Sequence, residues 1–203
     1  MIEALRRRKE VGAIAASGRY LADAITSPIG SNGHIDRVLE VGAGTGAFTR
    51  HILRRLGPGG QADIVELNPR FCDKLREDVV EPWSTQNVDR SATVIEGCIE
   101  DASLKPSYTT IVCGLPFNSF PPSVAERILQ QLIARLTPSG TLAFFEYAWL
   151  PSLRCALPGP WQNNAREHRR CLHELTGSMA QQRQFIFRNI LPAWAVFLRA
   201  EGA

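Results

Sequence analysis

The spacing of hydrophobic residues along the chain changes repeatedly between a strand period and a helix period. Short apolar runs rich in β-branched residues predict strands at Arg37–Val41, Gln61–Val65, Ala92–Ile95, Thr109–Cys113 and Gly140–Tyr147. Segments of helical period separate them and predict helices at Thr49–Leu56, Pro69–Val79 and Ser123–Leu136. Because strands that alternate with helices form parallel sheets covered on both faces, the pattern predicts an α/β fold.

Two segments depart from this alternation. Residues Ile2–Ile25 have a helical composition without proline, which predicts an N-terminal helical segment within residues 1–27. After Tyr147, several prolines mark an irregular, basic insertion at residues 148–180, with a helix predicted at about Asn164–Leu175. Both segments are expected to lie near the substrate, the first as a lid or membrane contact.

The chain closes with two apolar segments, Gln184–Asn189 and Ala193–Arg199, which predict a β-hairpin with an antiparallel strand in the sheet. At 203 residues and 44% hydrophobic content, the chain is expected to form one globular domain over residues 1–203. No apolar segment reaches the roughly 20 residues that span a bilayer, and no signal peptide is recognisable. These observations predict a cytoplasmic protein.

The net charge of +3 is small, but the basic residues are clustered. One block is Arg6–Lys9, and a second group enriches the last quarter of the chain at Arg154, Arg166, Arg169, Arg170 and Arg183. Such clusters indicate contact with an anionic surface, either a membrane or a nucleic acid. The five cysteines form no CxxC pair, which argues against a zinc site.

The stretch Val38–Phe48 predicts a strand, a glycine turn and the start of a helix. Its glycines, Gly42, Gly44 and Gly46, satisfy the dinucleotide pattern GxGxxG/A. Together with Glu40 they also satisfy Glu-x-Gly-x-Gly-x-Gly, which resembles motif I of the class I S-adenosylmethionine-dependent methyltransferases. Glycine turns of both kinds hold nucleotide-like ligands against a helix N-terminus, so the glycines alone leave the cofactor open.

Two acidic residues bear on the choice of cofactor, and one of them, Glu40, separates the two interpretations. Glu66 ends the second predicted strand, about twenty residues past the turn, where a carboxylate accepts the hydroxyls of a ribose under either interpretation. Glu40 lies inside the first strand, and a buried carboxylate is costly unless it is paired. At the corresponding place, methyltransferases typically use such a carboxylate to meet the amino group of the methionine moiety, so Glu40 favours S-adenosylmethionine.

The fourth predicted strand ends in Cys113-Gly-Leu-Pro-Phe-Asn118, close to the motif that amino-group methyltransferases place beside the reacting methyl. Nucleobase methylases have Asn at the first position of that motif, and this chain has Gly114. With Val11–Ser17, Arg19–Ala22 and Asn189–Trp194, the sequence resembles the bacterial phospholipid N-methyltransferases. Departures from that family's pattern are Ala16, Gly18, Leu191 and Cys98, the last where aspartate is usual.

The resemblance implies a Rossmann-like class I methyltransferase fold with a mostly parallel seven-stranded sheet and an antiparallel C-terminal strand. It implies S-adenosylmethionine as cofactor and assigns its binding to Glu40, Gly42, Ala43, Gly44, Thr45, Gly46, Glu66, Leu67, Asn68, Gly97, Cys98, Ile99 and Glu100. The expected catalytic residues are Tyr20, Tyr147, Gly114, Leu115 and Phe117. Those expected to hold the lipid are Arg154, Arg166, His168, Arg169 and Arg170.

The implied reaction is stepwise N-methylation of phosphatidylethanolamine towards phosphatidylcholine at the membrane surface. The ethanolamine ammonium must first lose a proton, and Tyr20, Tyr147, Glu146 and His168 are the candidate acceptors. Partners would then be the phospholipid and an anionic membrane, with the protein attached peripherally to the inner face of the cell membrane. No nucleic acid, no metal and a monomer are expected.

Three alternatives are weighed against this interpretation. An rRNA adenine dimethyltransferase shares the glycine turn, but Gly114 offers no side-chain amide to a base. A nonenzymatic adaptor with the same fold would be expected to have an eroded glycine turn, and here the turn is intact. An NAD-dependent oxidoreductase is disfavoured by Glu40 and by the Gly114–Phe117 run.

Overall fold

The computed structural model describes residues 18–31, 33–100, 104, 107–117, 120–148, 177, 179–189 and 191–199. Every strand of the predicted sheet falls within these residues. The basic block Arg6–Lys9 and the predicted helix Asn164–Leu175 lie outside them. The five residues expected to hold the lipid also lie outside them, namely Arg154, Arg166, His168, Arg169 and Arg170.

One mixed sheet organises the described part of the chain. Its strands are β1 Arg37–Val41, β2 Gln61–Glu66, β3 Ser91–Glu96, β4 Tyr108–Cys113, β5 Leu136–Tyr147, β6 Ala180–Ile186 and β7 Ala193–Arg199. The seven strands have the order β3-β2-β1-β4-β5-β7-β6. β1 to β5 pair in parallel, and β7 runs antiparallel to both of its neighbours. The prediction of a mostly parallel sheet with an antiparallel C-terminal hairpin is confirmed.

Helices precede β1 or connect the parallel strands. They are α1 Arg19–Ile25, α2 Thr49–Arg55, α3 Pro69–Leu75, α4 Glu81–Gln86 and α5 Pro122–Ile133. A π-helical turn, Arg76–Val80, joins α3 to α4. At the start of α3, the Asn68 side chain accepts a hydrogen bond from the Arg70 N–H, and Pro69 occupies the first helical position, where its missing N–H costs nothing.

The hydrophobic core consists of two clusters, one for each face of the sheet. β5 shows the division, because Phe145 belongs to the cluster with Leu21 and Ile52, whereas Phe144 belongs to the cluster with Ile111 and Ile128. Successive strand residues point to opposite faces, so a strand covered on both sides must be apolar at consecutive positions. This explains why β4 and β5 have continuous hydrophobic runs.

The strand order reverses at β1, which has β2 on one side and β4 on the other. The connections after β1 and β2 proceed towards one edge of the sheet and the connection after β4 towards the other. A crevice forms at such a point, outside the carboxyl ends of the strands, and ligands bind there in open α/β sheets. The glycine turn and the Gly114–Phe117 run therefore meet at this place.

Several element boundaries differ from the predictions. β5 begins at Leu136 rather than Gly140, and α5 ends at Ile133, with a pairing irregularity between Tyr108 and Thr110. β6 occupies Ala180–Ile186, whereas the sequence pattern places this strand at Gln184–Asn189. The residues of β6 are exposed except the last, so most of the strand has polar side chains and lacks the apolar alternation from which strands are predicted.

The Asn189 side chain fastens α1 to the turn between β6 and β7. Its Oδ1 accepts a hydrogen bond from the Gly18 N–H at 2.7 Å, and its Nδ2 donates to the Leu191 carbonyl at 2.8 Å. A Cβ added to Gly18 would lie 2.7 Å from the same Oδ1. Gly18 precedes α1, so this contact fixes the helix that carries Tyr20 relative to the hairpin.

Replacing Asn189 by Ala is expected to lower the free energy of unfolding by about 1–2 kcal/mol, because two partly buried backbone groups lose their hydrogen-bond partners. Gly18→Ala breaks the contact from the other side, so the double variant should lose less than the sum of the single losses. Thermal unfolding of the three variants measures this. Additive losses would show that Asn189 and Gly18 act on stability independently.

Candidate active site

The glycine turn after β1 is held by backbone hydrogen bonds. The Gly42 N–H donates to the Val65 carbonyl at 2.9 Å, and the Gly46 N–H donates to the Ala43 carbonyl at 3.0 Å. Gly42, Gly44 and Gly46 have φ values of 76°, 57° and 86°. This left-handed region is readily accessible only to glycine. A Cβ at Gly44 would meet no atom within 4 Å, so the turn is open on the side where a ligand would approach.

Glu66 links the glycine turn to the end of β2. Its Oε2 accepts a hydrogen bond from the Gly44 N–H at 2.7 Å, and its Oε1 accepts one from the Asn68 N–H at 2.8 Å. A carboxylate has about four acceptor sites, so both oxygens can accept further hydrogen bonds from a diol. Glu66 thus stabilises the protein loops and remains chemically able to bind ribose hydroxyls.

Glu40 is buried at 1% exposure, and one of its oxygens lacks a partner. Oε2 accepts a hydrogen bond from the Thr49 hydroxyl at 2.7 Å, whereas Oε1 accepts none in the part of the chain that the structure describes. Burial raises the pKa of Glu40 from 4.5 to about 8, and the Thr49 hydrogen bond opposes this rise. A cationic group beside Oε1 would satisfy that oxygen and favour the ionised carboxylate.

Thr49 is a site residue that the sequence reasoning missed. It begins α2 and is fully buried, with its hydroxyl directed at Glu40. A threonine in the first turn of a helix usually suggests a capping role. Its position in the sequence could have indicated this role. Thr49 directly follows the glycine turn, and that turn brings the first residue of α2 back towards β1.

Position 114 requires glycine because a larger residue does not fit there, and not because of its backbone conformation. Its φ is not positive, and its N–H donates to the Val41 carbonyl at 2.8 Å. A Cβ at this position would lie 2.5 Å from the Gly42 carbonyl oxygen. In the other direction, a Cβ on Gly42 would lie 2.6 Å from Cδ2 of Leu115. The two sequence motifs therefore contact each other directly, and a larger residue at position 114 would displace the glycine turn.

The three aromatic residues of the expected catalytic set have different surroundings. Phe117 is fully buried, with its ring edge-on to Phe144 at 5.3 Å between centroids. Tyr147 is also buried, on the opposite face of the sheet, with its ring 5.1 Å from Phe145. Tyr20 is 38% exposed. Phe117 thus packs in the core, and its part in catalysis stays a prediction.

Tyr20 lies between two arginines. The Arg19 guanidinium donates to the Tyr20 hydroxyl at 2.9 Å and stands 4.7 Å from the ring centroid, and Arg188 stands 5.7 Å from it. The hydrogen bond from Arg19 lowers the pKa of the phenol, and Arg188 adds to this effect. The neighbours of Tyr20 on α1, Leu21 and Ala22, share a hydrophobic cluster with Tyr147, so both tyrosines belong to the same side of the sheet.

The remaining cofactor candidates surround the glycine turn. Gly97 donates its N–H to the Glu66 carbonyl at 3.0 Å, and a Cβ there would meet nothing within 4 Å. Cys98 and Ile99 are buried, and a Glu100 oxygen lies 4.0 Å from the guanidinium of Arg127 on α5. Glu100, which is expected to bind the cofactor, therefore also has a cationic neighbour. Leu67 and Asn68 follow Glu66, and Ala43 and Thr45 lie within the turn.

In the described part of the chain, no group of three His, Cys, Asp or Glu side chains could hold a metal ion. Among the described helices, none is both long and apolar enough to cross a membrane.

The sheet order, the glycine turn and the buried carboxylate at its start define a class I methyltransferase fold. The family model described as a methyltransferase domain matches residues 38–140, and the chain belongs to this family. This membership favours a methyltransferase over the NAD-dependent alternative.

Known relatives and solved structures agree with this class. The chain is 28% identical over 165 residues to an ornithine lipid N-methyltransferase of Singulisphaera acidiphila, covering 80% of this chain and 74% of that protein. The fold is similar to an O-methyltransferase from Bacillus cereus in complex with SAH (TM-score 0.67, 13% identity, 98% of this chain and 89% of that chain). It is also similar to the N-methyltransferase NodS from Bradyrhizobium japonicum WM9 in complex with S-adenosyl-L-homocysteine (TM-score 0.64, 16% identity, 88% and 85%). Family and fold together support S-adenosylmethionine as the cofactor.

The buried carboxylate makes the site sensitive to pH. The pKa of Glu40 is raised above its ordinary value, so the folded protein retains a proton that the unfolded chain releases between 4.5 and about 8. Stability from this group is therefore present at low pH and is lost as pH rises through that window. Glu40→Gln removes the titration, so without cofactor its melting temperature should exceed that of the wild type increasingly between about pH 5 and pH 8.

The same substitution should lower the affinity for S-adenosylmethionine about 10- to 100-fold, because a charged hydrogen-bond acceptor is lost. Thr49→Val is the matched control. It keeps the carboxylate but removes its donor, so affinity should fall less and its pH dependence should shift upwards. Calorimetry at several pH values measures both. Unchanged affinity and an unchanged melting profile for Glu40→Gln would mean that Glu40 faces no cationic group.

Gly114→Ala tests the contact between the two motifs. The added methyl group overlaps the Gly42 carbonyl, so we expect a loss of about 1–3 kcal/mol in stability together with weaker cofactor binding. Gly57→Ala is the matched control, because a Cβ at Gly57 meets nothing within 4 Å and its φ is not positive. Equal effects of the two substitutions on unfolding and on cofactor affinity would contradict the proposed crowding.

Proposed function

We propose that this protein methylates the amino group of a lipid headgroup, using S-adenosylmethionine, and that its substrate is phosphatidylethanolamine, converted stepwise towards phosphatidylcholine. The observation that carries the proposal is the contact of Gly114 with the Gly42 carbonyl. It leaves no room for the side-chain amide that a nucleobase methylase uses at this position. The likeness to an ornithine lipid N-methyltransferase supports an amine on a lipid as the substrate class.

The residues at the carboxyl edge of the sheet fit the cofactor. The free oxygen of Glu40 would receive its amino group, Glu66 would accept hydrogen bonds from its ribose hydroxyls, and the open side of Gly44 would accommodate its close approach. Bound S-adenosylmethionine supplies an electrophilic methyl group on a sulfonium. The chain contributes the position of the amine and the removal of its proton.

Tyr20 is the proton acceptor that the described contacts favour. The hydrogen bond from Arg19 lowers the pKa of its phenol, so the phenolate forms at lower pH, where a headgroup ammonium of pKa near 10 still has a proton to lose. Glu146, in contrast, already accepts a 2.7 Å hydrogen bond from Arg183. The ring of Tyr20 has one guanidinium from α1 and another from the hairpin near its centroid, which supports the proposal that this ring also contacts the methylated ammonium.

Several parts of the proposal concern residues outside the described ones. Arg154, Arg166, His168, Arg169 and Arg170 would bind the lipid phosphate, for which arginine offers bidentate hydrogen bonds. Residues 1–27, of which the structure describes those from Gly18 onward, would form the lid. Residues 148–180, most of which lie outside the described ones, would form the basic insertion, and Arg6–Lys9 would attract the anionic inner face of the cell membrane. The attachment would be peripheral and the protein a monomer.

An ornithine lipid is the second candidate substrate, on the specific ground of the relative described above. Both lipids present a primary amine near a bilayer surface, so the chemistry of the proposed site is the same. Their headgroups differ in the anionic group, which is a phosphate in phosphatidylethanolamine and a carboxylate in an ornithine lipid. The substrate assay therefore includes both.

The assay uses the full chain, S-adenosylmethionine with a labelled methyl group, and vesicles of phosphatidylethanolamine, of ornithine lipid, or of neither. We expect label in mono- and dimethylated phosphatidylethanolamine after lipid separation. Tyr20→Phe should lower kcat about 10- to 100-fold, because the proton acceptor is lost. Tyr108→Phe is the control, since that hydroxyl donates to Asp63 at 2.8 Å in the core.

Label in ornithine lipid alone would change the substrate and retain the reaction class. Label in rRNA with none in lipid would overturn the proposal in favour of a nucleic acid methyltransferase. Full activity of Tyr20→Phe together with loss in Tyr147→Phe would move the proton transfer to Tyr147.

A further inference from the structure

One group of exposed side chains at the hairpin end of the molecule has no role in the fold. It consists of Arg19, Tyr20, Phe187, Arg188 and Leu191, here called the hairpin-tip patch. Phe187 is 68% exposed, Leu191 is 39% exposed, and both guanidinium side chains reach solvent. Arg188 stands 5.7 Å from the ring centroids of both Tyr20 and Phe187, so the patch is continuous.

The patch lies at the same edge of the sheet as the candidate active site. Ile186 at the end of β6 pairs with Ala193 at the start of β7, and Ala193 pairs with Tyr147 at the carboxyl end of β5. The turn that carries Phe187, Arg188 and Leu191 therefore projects beyond the carboxyl ends of the parallel strands. Asn189 in that turn fastens Gly18, so the arginine and tyrosine of α1 are fixed beside it.

The charge of the patch is cationic and uncompensated within the described residues. The contacts of Arg19 and Arg188 there are with Tyr20 and Phe187, and neither guanidinium forms an ion pair with a carboxylate. Arg183, farther along β6, differs from them because it pairs with Glu146 at 2.7 Å. The two arginines of the patch are thus available to an external anion.

We infer that the hairpin-tip patch docks on an anionic lipid bilayer and so presents the site to headgroup amines. Exposed aromatic and aliphatic side chains among arginines match the interface of a bilayer, where rings enter the headgroup region and guanidiniums bind lipid phosphates. This inference rests on the proposed function for its direction. It assigns membrane contact to the C-terminal hairpin, in addition to the N-terminal segment and the basic insertion expected from the sequence.

The test measures co-sedimentation of the full chain with vesicles of phosphatidylethanolamine and phosphatidylglycerol, and with vesicles in which phosphatidylcholine replaces phosphatidylglycerol. Phe187→Ser with Leu191→Ser should lower binding to the anionic vesicles by about tenfold, because two membrane-inserting side chains are lost. The matched control is Ile35→Ser with Val88→Ser. Those side chains are 64% and 92% exposed, and they precede β1 and β3 at the opposite edge of the sheet.

Arg188→Gln supplies a second measurement that does not depend on apolar surface. Binding of the wild type should weaken as salt is raised, and the loss should be smaller for Arg188→Gln, because one cation is absent. Melting temperatures close to that of the wild type would show that each variant is folded. These substitutions avoid Tyr20, which the proposed reaction uses.

Wild-type binding by both double variants, or no vesicle binding by the wild type, would overturn the inference. The inference would also be overturned if the wild type bound a structured RNA and no vesicles, and if Phe187→Ser with Leu191→Ser abolished that RNA binding. Methylation of a short-chain, dispersed aminolipid separates this inference from the proposed function. If the wild type binds vesicles through the patch but methylates no lipid, the proposed reaction is wrong and the docking surface is supported. If it methylates the dispersed aminolipid but does not bind vesicles through the patch, the reaction is supported and the docking surface is wrong.

Discussion

The close approach of two backbones at the carboxyl edge of the sheet is the constraint on which the candidate site depends. β1 and β4 are neighbours, and the chain leaving β4 passes so near the glycine turn that a Cβ at Gly114 would lie 2.5 Å from the Gly42 carbonyl oxygen. Leu115 then fills the space beside Gly42. Gly114 and Leu115 pack against the turn at Gly42, and backbone hydrogen bonds hold its conformation. The opposite side of the turn, at Gly44, can therefore stay open to a ligand.

Glu40 illustrates how the site departs from what stability alone would select. A carboxylate with an unpartnered buried oxygen opposes folding once it ionises, and burial raises its pKa to about 8 for that reason. An apolar or amide side chain would fit the strand at lower cost. The arrangement is understandable if a bound cation completes it, because the charge that opposes folding then becomes a source of binding energy.

Buried strands and glycine turns have strong local sequence patterns. The sequence therefore allowed us to predict the sheet, its mostly parallel pairing, and the edge at which the glycine turn and the Gly114–Phe117 run meet. It could not place β6, whose side chains are mostly exposed and polar and so lack the apolar alternation of a covered strand. It also missed Thr49 and the packing of Phe117 on Phe144, since both depend on distances between elements far apart in the chain. The roles of the cofactor and catalytic residues remain predictions.

The proposed docking surface at the hairpin tip lies next to an exposed edge of the sheet. β6 stands last in the strand order, and an edge strand with apolar side chains would invite pairing with other chains. Its glutamines and Arg183 keep that edge polar. On β6 itself, the exposed Phe185 packs its ring 4.9 Å from that of Trp194. Beyond Ile186 strand pairing has ended, so Phe187 and Leu191 can meet a bilayer without extending the sheet. If the hairpin-tip patch docks as proposed, only a few residues along one hairpin separate the edge strand from the docking surface.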